Sequence, residues 1–74
     1  MGHMTTYRYG DLCVDILLRR EKTGDVSEYE CLVRGFGHGN TAKRKTYWVI
    51  ATSHAQASRV ALQRYKNDKE VGNV

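Results

Sequence analysis

Proline is absent from this sequence of 74 residues, and it contains neither an internal repeat nor a low-complexity segment. These absences exclude repeat architectures and Pro-rich linkers, and they favour a single domain. The longest apolar run, from Tyr47 to Ala51, is far too short to cross a bilayer. No secretory h-region follows Met4, so the sequence predicts a cytoplasmic protein without a membrane partner.

Met1, Gly2 and His3 precede a second methionine and are typical of an expression-tag remnant, so we expect the native sequence to start at Met4. We expect one domain over residues 4–68 and a frayed tail over 69–74. Hydrophobic residues make up 41% and charged residues 27%, which are ordinary globular values. A domain this small gains only a few kcal/mol of net stability from its core, so oligomerisation would add useful stability.

Two strands joined by a hairpin are predicted over Leu12–Arg20 and Ser27–Phe36, because apolar residues alternate in both. A turn at Thr23-Gly24 pairs Leu18 with Tyr29, Ile16 with Cys31, and Val14 with Val33, which is apolar on apolar each time. The same register pairs Arg19 with Glu28 on the other face.

A third strand is predicted over Lys43–Ala51 after a glycine-rich connector, and its facing is ambiguous. Arg44, Thr46, Trp48 and Ile50 share one side; we expect Trp48 and Ile50 in the core because they are larger. Ser53 and Gln56 form a capping box, which predicts a helix from His54 to about Asn67. Its apolar stripe contains small alanines that let it lie close to the sheet. The predicted class is α+β, a three-stranded antiparallel sheet (β-β-β-α) with the helix packed on one face.

The register places the two cysteines on opposite faces of the sheet, with Cys31 toward the core. Neither has a CxxC partner or a histidine pair, so no metal site is predicted. We expect two free thiols and a reducing compartment. His38, His54 and Cys13 have no adjacent catalytic partner, so neither an enzyme nor a cofactor is predicted.

One helix covers only one face of the sheet, so the other face is the candidate binding surface. We expect it to carry Leu17, Leu32 and Phe36, joined by Tyr47 and Val49 and ringed by Arg19, Arg34 and Lys45. The alternative is that Thr5 to Tyr9 folds over this face, with Tyr7 and Tyr9 as its cover.

The charge is +4 overall but unevenly distributed. Residues 5–30 carry four bases and six acids, whereas 31–74 carry eight bases and two acids. A basic half with aromatic residues between its charges is typical of a surface that binds nucleic acid. We predict binding of single-stranded or duplex nucleic acid by Arg19, Leu32, Arg34, Phe36, Lys43, Arg44, Lys45 and Tyr47. The alternative is that these charges form an ordinary solvated surface.

The order of three strands and a helix is similar to the small DNA-binding domains of tyrosine integrases and of plant ethylene-response factors. That resemblance implies a sheet laid into the major groove. The order is also similar to the second part of a double-stranded RNA-binding domain. Here, however, residues 53–59 lack the lysine pair with which that family holds phosphate.

A second function class is a small protein-binding module. Its small size is similar to that of phage or mobile-element inhibitors of the anti-CRISPR kind. Such a module would act through the uncovered sheet face, or would form a homodimer through that face or an edge strand.

Overall fold

The computed structural model describes residues 4–37, 39 and 41–72. The predicted tag remnant, the loop residues His38 and Asn40, and residues 73–74 lie outside the described residues. The elements are β1 (Thr5–Tyr9), β2 (Leu12–Glu21), β3 (Ser27–Gly35), β4 (Lys45–Ala51) and α1 (His54–Gly72). The four strands form one antiparallel sheet in the order β1-β2-β3-β4, and α1 packs on one face of it. The α+β class and the single C-terminal helix are confirmed, but the prediction of three strands is wrong.

The additional strand is β1, which pairs with β2 instead of folding over the sheet. Tyr9 pairs with Leu12, so Gly10 and Asp11 form the hairpin connection. Gly10 has a φ of 64°, the left-handed value that the first position of a tight hairpin turn requires. The N-terminal segment therefore widens the sheet and leaves its second face open. This strand also distinguishes the fold from the three-stranded families that it resembles by sequence order.

The β2–β3 register matches the prediction at one end and differs by one residue at the other. Val14 pairs with Val33 and Ile16 with Cys31, as predicted. A β-bulge at Leu17 then pairs Leu18 with Glu30 and Arg20 with Glu28. The bulge adds one residue to β2, so every side chain after it exchanges faces relative to the prediction. Leu18 is consequently on the open face, 47% exposed, instead of in the core.

The facing of β4 is the reverse of the one predicted. Val49 and Ala51 are buried toward the helix, whereas Trp48 is 41% and Ile50 62% exposed on the opposite face. The physical reason lies in α1, whose contact face carries the buried residues Ala57, Ser58 and Ala61. Small helix residues bring the backbones close, which leaves space for valine and alanine but not for an indole ring.

The core lies between the sheet and α1. Its buried members are Val14, Ile16, Tyr29, Cys31, Val33, Val49, Ala51, Ala57, Ala61 and Tyr65. Ser58 is the buried polar residue of the helix; its hydroxyl donates to the Ala55 carbonyl (2.7 Å) and shares a short hydrogen bond with the Tyr9 hydroxyl. The bond to Ser58 connects the edge strand β1 to α1 on the helix side of the sheet.

The helix begins at His54 with Ser53 as its N-cap, as predicted, although Gln56 bonds back to Thr52 and not to Ser53. The Gln56 amide donates to Ser53 Oγ (3.1 Å), and Gln56 Oε1 accepts hydrogen bonds from the amide and hydroxyl of Thr52. The helix continues to Gly72, beyond the predicted end at Asn67, and so includes part of the predicted tail. No helix in the described part of the chain is long and apolar enough to cross a membrane.

Candidate functional site

The sheet face turned away from α1 is called the open face below. Successive side chains of a β-strand point to opposite faces, so the residues that alternate with the core residues lie on the open face. From β1 to β4 its members are Thr6, Arg8, Cys13, Asp15, Leu18, Arg20, Glu28, Glu30, Leu32, Arg34, Thr46, Trp48 and Ile50, with Phe36 just beyond β3.

Three arginines lie in one cross-strand row at one end of the open face. Arg8 pairs with Cys13, and Cys13 pairs with Arg34, so these residues lie on three neighbouring strands. Arg44 immediately precedes β4, where continuation of the β3–β4 register places it next to Arg34. Arg8, Arg34 and Arg44 are called the arginine row. Among the described residues, Arg8 and Arg44 are exposed and make no ion pair.

A buried carboxylate, Asp15, holds the central arginine of the row in place. Asp15 is 3% exposed; Arg34 donates to it from Nε (2.6 Å) and Nη2 (3.3 Å), and Thr6 donates from Oγ1 (2.6 Å). Burial acts to raise the pKa of Asp15. The hydrogen bonds from Arg34 and Thr6, with the charges of Arg34 and Arg44, outweigh it and lower that pKa below its ordinary value. Asp15 is thus ionised at neutral pH and fixes the direction of the Arg34 side chain.

Two aromatic rings on the open face each lie against an arginine. Arg8 Cζ is 4.0 Å from the centroid of Phe36, and Arg20 Cζ is 5.3 Å from the centroid of Trp48. Both distances lie in the range of cation–π contacts. Phe36 is 43% and Trp48 41% exposed. These two contacts are called the stacking pairs.

The end of the open face near the β2–β3 hairpin is apolar and carries charges of both signs. Leu18 and Ile50 are its apolar members, and the bulge residue Leu17, 42% exposed, is adjacent to Leu18 in the chain. Glu28 lies 3.6 Å from Arg20 Nη1 and 3.5 Å from Lys22 Nζ. This end is therefore much less basic than the arginine row.

Some of the residues predicted for the site do lie together. Leu32, Arg34 and Phe36 are on the open face, and Arg44 is at its edge. Lys43 is exposed in the connector just before Arg44, where its carbonyl accepts a hydrogen bond from the Tyr65 hydroxyl (2.9 Å). These five form the part of the predicted site that the fold brings to one end of the sheet.

Lys45 and Tyr47 lie on the helix side instead, contrary to their predicted place on the open face. Both bind Asp68 of α1, Lys45 Nζ at 2.9 Å and the Tyr47 hydroxyl at 2.8 Å. Burial and the hydrogen bond to Asp68 raise the pKa of Tyr47, and the bonds from Lys45 and Tyr47 lower the pKa of Asp68. Val49, predicted beside them, is in the core. These side chains attach α1 to β4 and are not part of the open face.

Arg19 also leaves the open face, because the bulge at Leu17 pairs it with the core residue Tyr29. Its guanidinium lies 3.6 Å from Glu21. The bulge brings Arg20 to the open face in its place.

The sequence predictions missed Arg8, Arg20, Trp48 and Ile50. For Arg8 a signal was present: Thr5–Tyr9 is a run of β-formers followed by Gly10-Asp11, a two-residue hairpin connection. For Trp48 and Ile50 the signal was the small-residue stripe of α1, which leaves no space for large side chains. Arg20 reaches the open face because of the bulge at Leu17, and no residue of β2 predicts that bulge.

Comparisons of this chain with protein-family models, curated proteins and solved structures gave no match.

Proposed function

We propose that this chain binds nucleic acid, with the arginine row contacting the phosphate backbone. The observation that carries this proposal is the placement of Arg8, Arg34 and Arg44 beside exposed aromatic rings on the sheet face that α1 does not cover. Phosphate contacts supply most of the affinity in non-specific nucleic-acid binding, and arginine suits them because its fork donates two parallel hydrogen bonds.

The buried carboxylate Asp15 does not cancel the attraction of the arginine row. Asp15 is buried beneath the row and already accepts bonds from Arg34 and Thr6. It neutralises the charge of Arg34 but leaves Nη1 of that side chain for a ligand. Arg8 and Arg44 remain as full, solvent-facing charges, and Lys43 adds a further charge next to Arg44.

The proposal predicts a defined dependence on salt. If about three phosphates are neutralised, log K should fall with log[salt] with a slope of about −2 on single strands and about −2.7 on B-form DNA. Raising the salt from about 50 to about 200 mM should then weaken binding by roughly 20- to 40-fold. Fluorescence anisotropy of labelled oligonucleotides measures both quantities.

Variants of the arginine row distinguish a site from general basicity. Arg8→Ala and Arg44→Ala should each weaken binding and reduce the slope by about 0.7 to 0.9, because each removes one phosphate contact. Arg59→Ala is the matched control, since Arg59 is exposed on α1 and its loss changes the net charge equally. Equal losses in all three variants, or no binding of any oligonucleotide at about 50 mM salt, would refute the proposal.

A cytoplasmic location is part of the same proposal. Nucleic acid is available there, and a reducing compartment keeps Cys13 and Cys31 as the free thiols that the fold contains.

A second candidate function is protein binding through the end of the open face near the β2–β3 hairpin. Such binding would include self-association or inhibition of a partner. It is favoured by the exposure of Leu17, Leu18 and Ile50 at one place. A second copy is the partner to test first, because Arg20 and Lys22 lie beside Glu28 and so make the patch self-complementary. Ile50→Glu should then convert a dimer to a monomer in light scattering, with binding of nucleic acid retained.

A further inference from the structure

We infer that the nucleic acid bound by the open face is single-stranded and that its bases stack on the two stacking pairs, Arg8–Phe36 and Arg20–Trp48. This inference rests on the proposed nucleic-acid function and specifies its substrate class. Aromatic rings and guanidinium planes both provide flat surfaces for unpaired bases.

The Arg8–Phe36 pair is held in place by backbone contacts at both residues. Arg8 Nε donates to the Gly10 carbonyl (3.1 Å), and the Phe36 amide donates to the Asp11 carbonyl (2.9 Å). Both contacts are made to the β1–β2 turn. The guanidinium therefore lies against the ring before any ligand arrives, and its Nη groups remain available for a phosphate. A base that stacks here therefore meets a guanidinium that is already ordered, which reduces the cost of binding.

The Arg20–Trp48 pair is positioned by a different set of contacts. Glu28 lies 3.6 Å from Arg20 Nη1, and Arg64 of α1 donates to the Trp48 carbonyl (3.1 Å). Glu30 is the strand partner of Trp48, so two carboxylates lie near this ring. Arg20 and Lys22 balance these two carboxylates, so this end of the face offers a ring for a base to stack on but no net attraction for the phosphate backbone.

The distance between the stacking pairs fits a short oligonucleotide. Trp48 pairs with Glu30 of β3, and Phe36 follows Glu30 by six residues along the same strand direction. At the rise of a β-strand, six residues correspond to about 20 Å between the two rings. A single strand that rises about 3.4 Å per nucleotide spans this distance with about six nucleotides, and a more extended strand needs fewer. Leu18, Leu32 and Thr46 lie between the pairs and are uncharged, and the ion pair of Asp15 with Arg34 in the same stretch has no net charge.

Duplex DNA fits the open face less well. Four strands span about 14 Å between the outer backbones, whereas the major groove is about 12 Å wide and admits a helix or a two-stranded ribbon. The bases of a duplex stack on each other, so their faces cannot reach Phe36 or Trp48. A duplex would therefore contact the arginine row alone.

The chain contains a single tryptophan, so its intrinsic fluorescence reports directly on the second stacking pair. The first experiment titrates the protein with an unstructured oligothymidine of about twelve nucleotides and with a duplex of equal length, and follows Trp48 emission and anisotropy together. We expect the single strand to quench Trp48 along the same isotherm as the anisotropy change. The duplex should bind more weakly and leave the emission nearly unchanged.

Ring-removing variants complete the test. Trp48→Ala and Phe36→Leu should each weaken oligothymidine binding by about tenfold or more, without changing the salt slope because no charge is removed. Ile50→Ala is the control, since it shortens an exposed side chain on the same face of β4 and removes no ring. Circular dichroism confirms that each variant is folded.

The outcomes separate this inference from the function on which it rests. Salt-dependent binding of duplex and single strand with equal affinity, unaffected by Trp48→Ala, would overturn the stacking inference and leave the arginine row as a phosphate site. Absence of binding to either oligonucleotide at about 50 mM salt would overturn both.

Discussion

Asp15 is the residue on which the geometry of the arginine row depends. It is buried and accepts hydrogen bonds from Thr6 on β1 and Arg34 on β3, so it joins three strands. Asp15→Asn removes the charge and should lower the free energy of unfolding by about 2 kcal/mol, because Arg34 loses its partner. Urea denaturation followed by circular dichroism measures this loss. Asp25→Asn, in the exposed hairpin turn, is the control; an equal change in both variants would contradict the role given to Asp15.

The same residue sets a pH dependence of stability. The pKa of Asp15 is lower in the folded chain than its value of about 3.9 in an unfolded one. Its contribution to stability is therefore complete above about pH 4 and is lost as the pH falls through the folded-state pKa. The difference in urea midpoint between the wild type and Asp15→Asn should accordingly be large at neutral pH and shrink on acidification below about pH 4. A difference that is constant with pH would show that the charge of Asp15 contributes nothing.

At the scale of the element, β1 determines whether the arginine row exists, because it supplies Arg8. Its hairpin depends on Gly10, where φ is 64° and no atom lies within 4 Å of an added Cβ. Gly10→Ala should therefore cost about 1 kcal/mol through backbone conformation alone, and replacement of Gly10 by D-alanine, introduced by chemical synthesis, should cost less, because a D-residue adopts positive φ without strain. Urea midpoints measure both, and hydrogen exchange of the β1 amides shows where stability is lost. Equal costs for the two variants would argue against conformational strain.

The elements also show what the sequence could and could not predict. Alternation of apolar residues predicted β2, β3 and the pairing of Val14 with Val33, because burying one face leaves a single apolar register there. Beyond Leu17 both registers bring a favourable charge to Glu28, from Arg19 or from Arg20, so neither pattern nor charge selects the bulge. Strand β4 has apolar residues on both of its faces, so its pattern does not show which face is buried. Only the close packing of α1 on the sheet decides which face points to the core.

For the molecule as a whole, the candidate site follows from how many strands the sheet has and which face the helix takes. An uncovered face with Leu32, Arg34 and Phe36 was predictable, because one helix cannot cover two faces. The complete arginine row was not, since it combines a residue of β1 with one from the connector before β4. Trp48, and not the predicted Tyr47, is the ring that β4 presents on the open face, because the faces of β4 are the reverse of those predicted. Only three-dimensional packing determines that orientation.

The two thiols test whether this sheet behaves as one cooperative unit. Cys13 lies on the open face and Cys31 in the core, each on a central strand and each at most 1% exposed. Burial raises the pKa of the Cys31 thiol to about 11, which further slows its reaction as a thiolate. Cys31 lies in the core under α1, and Cys13 is covered on the open face by the side chains around its strand partners Arg8 and Arg34, so each sulfur reacts when the structure around it opens. With Cys13→Ala and Cys31→Ala as single-thiol variants, we expect both thiols to react with an aromatic disulfide reagent at rates that rise with urea as steeply as global unfolding does. Rapid labelling of Cys13 with a shallow urea dependence would instead show that the edge strand β1 opens by itself, and that the arginine row is assembled only part of the time.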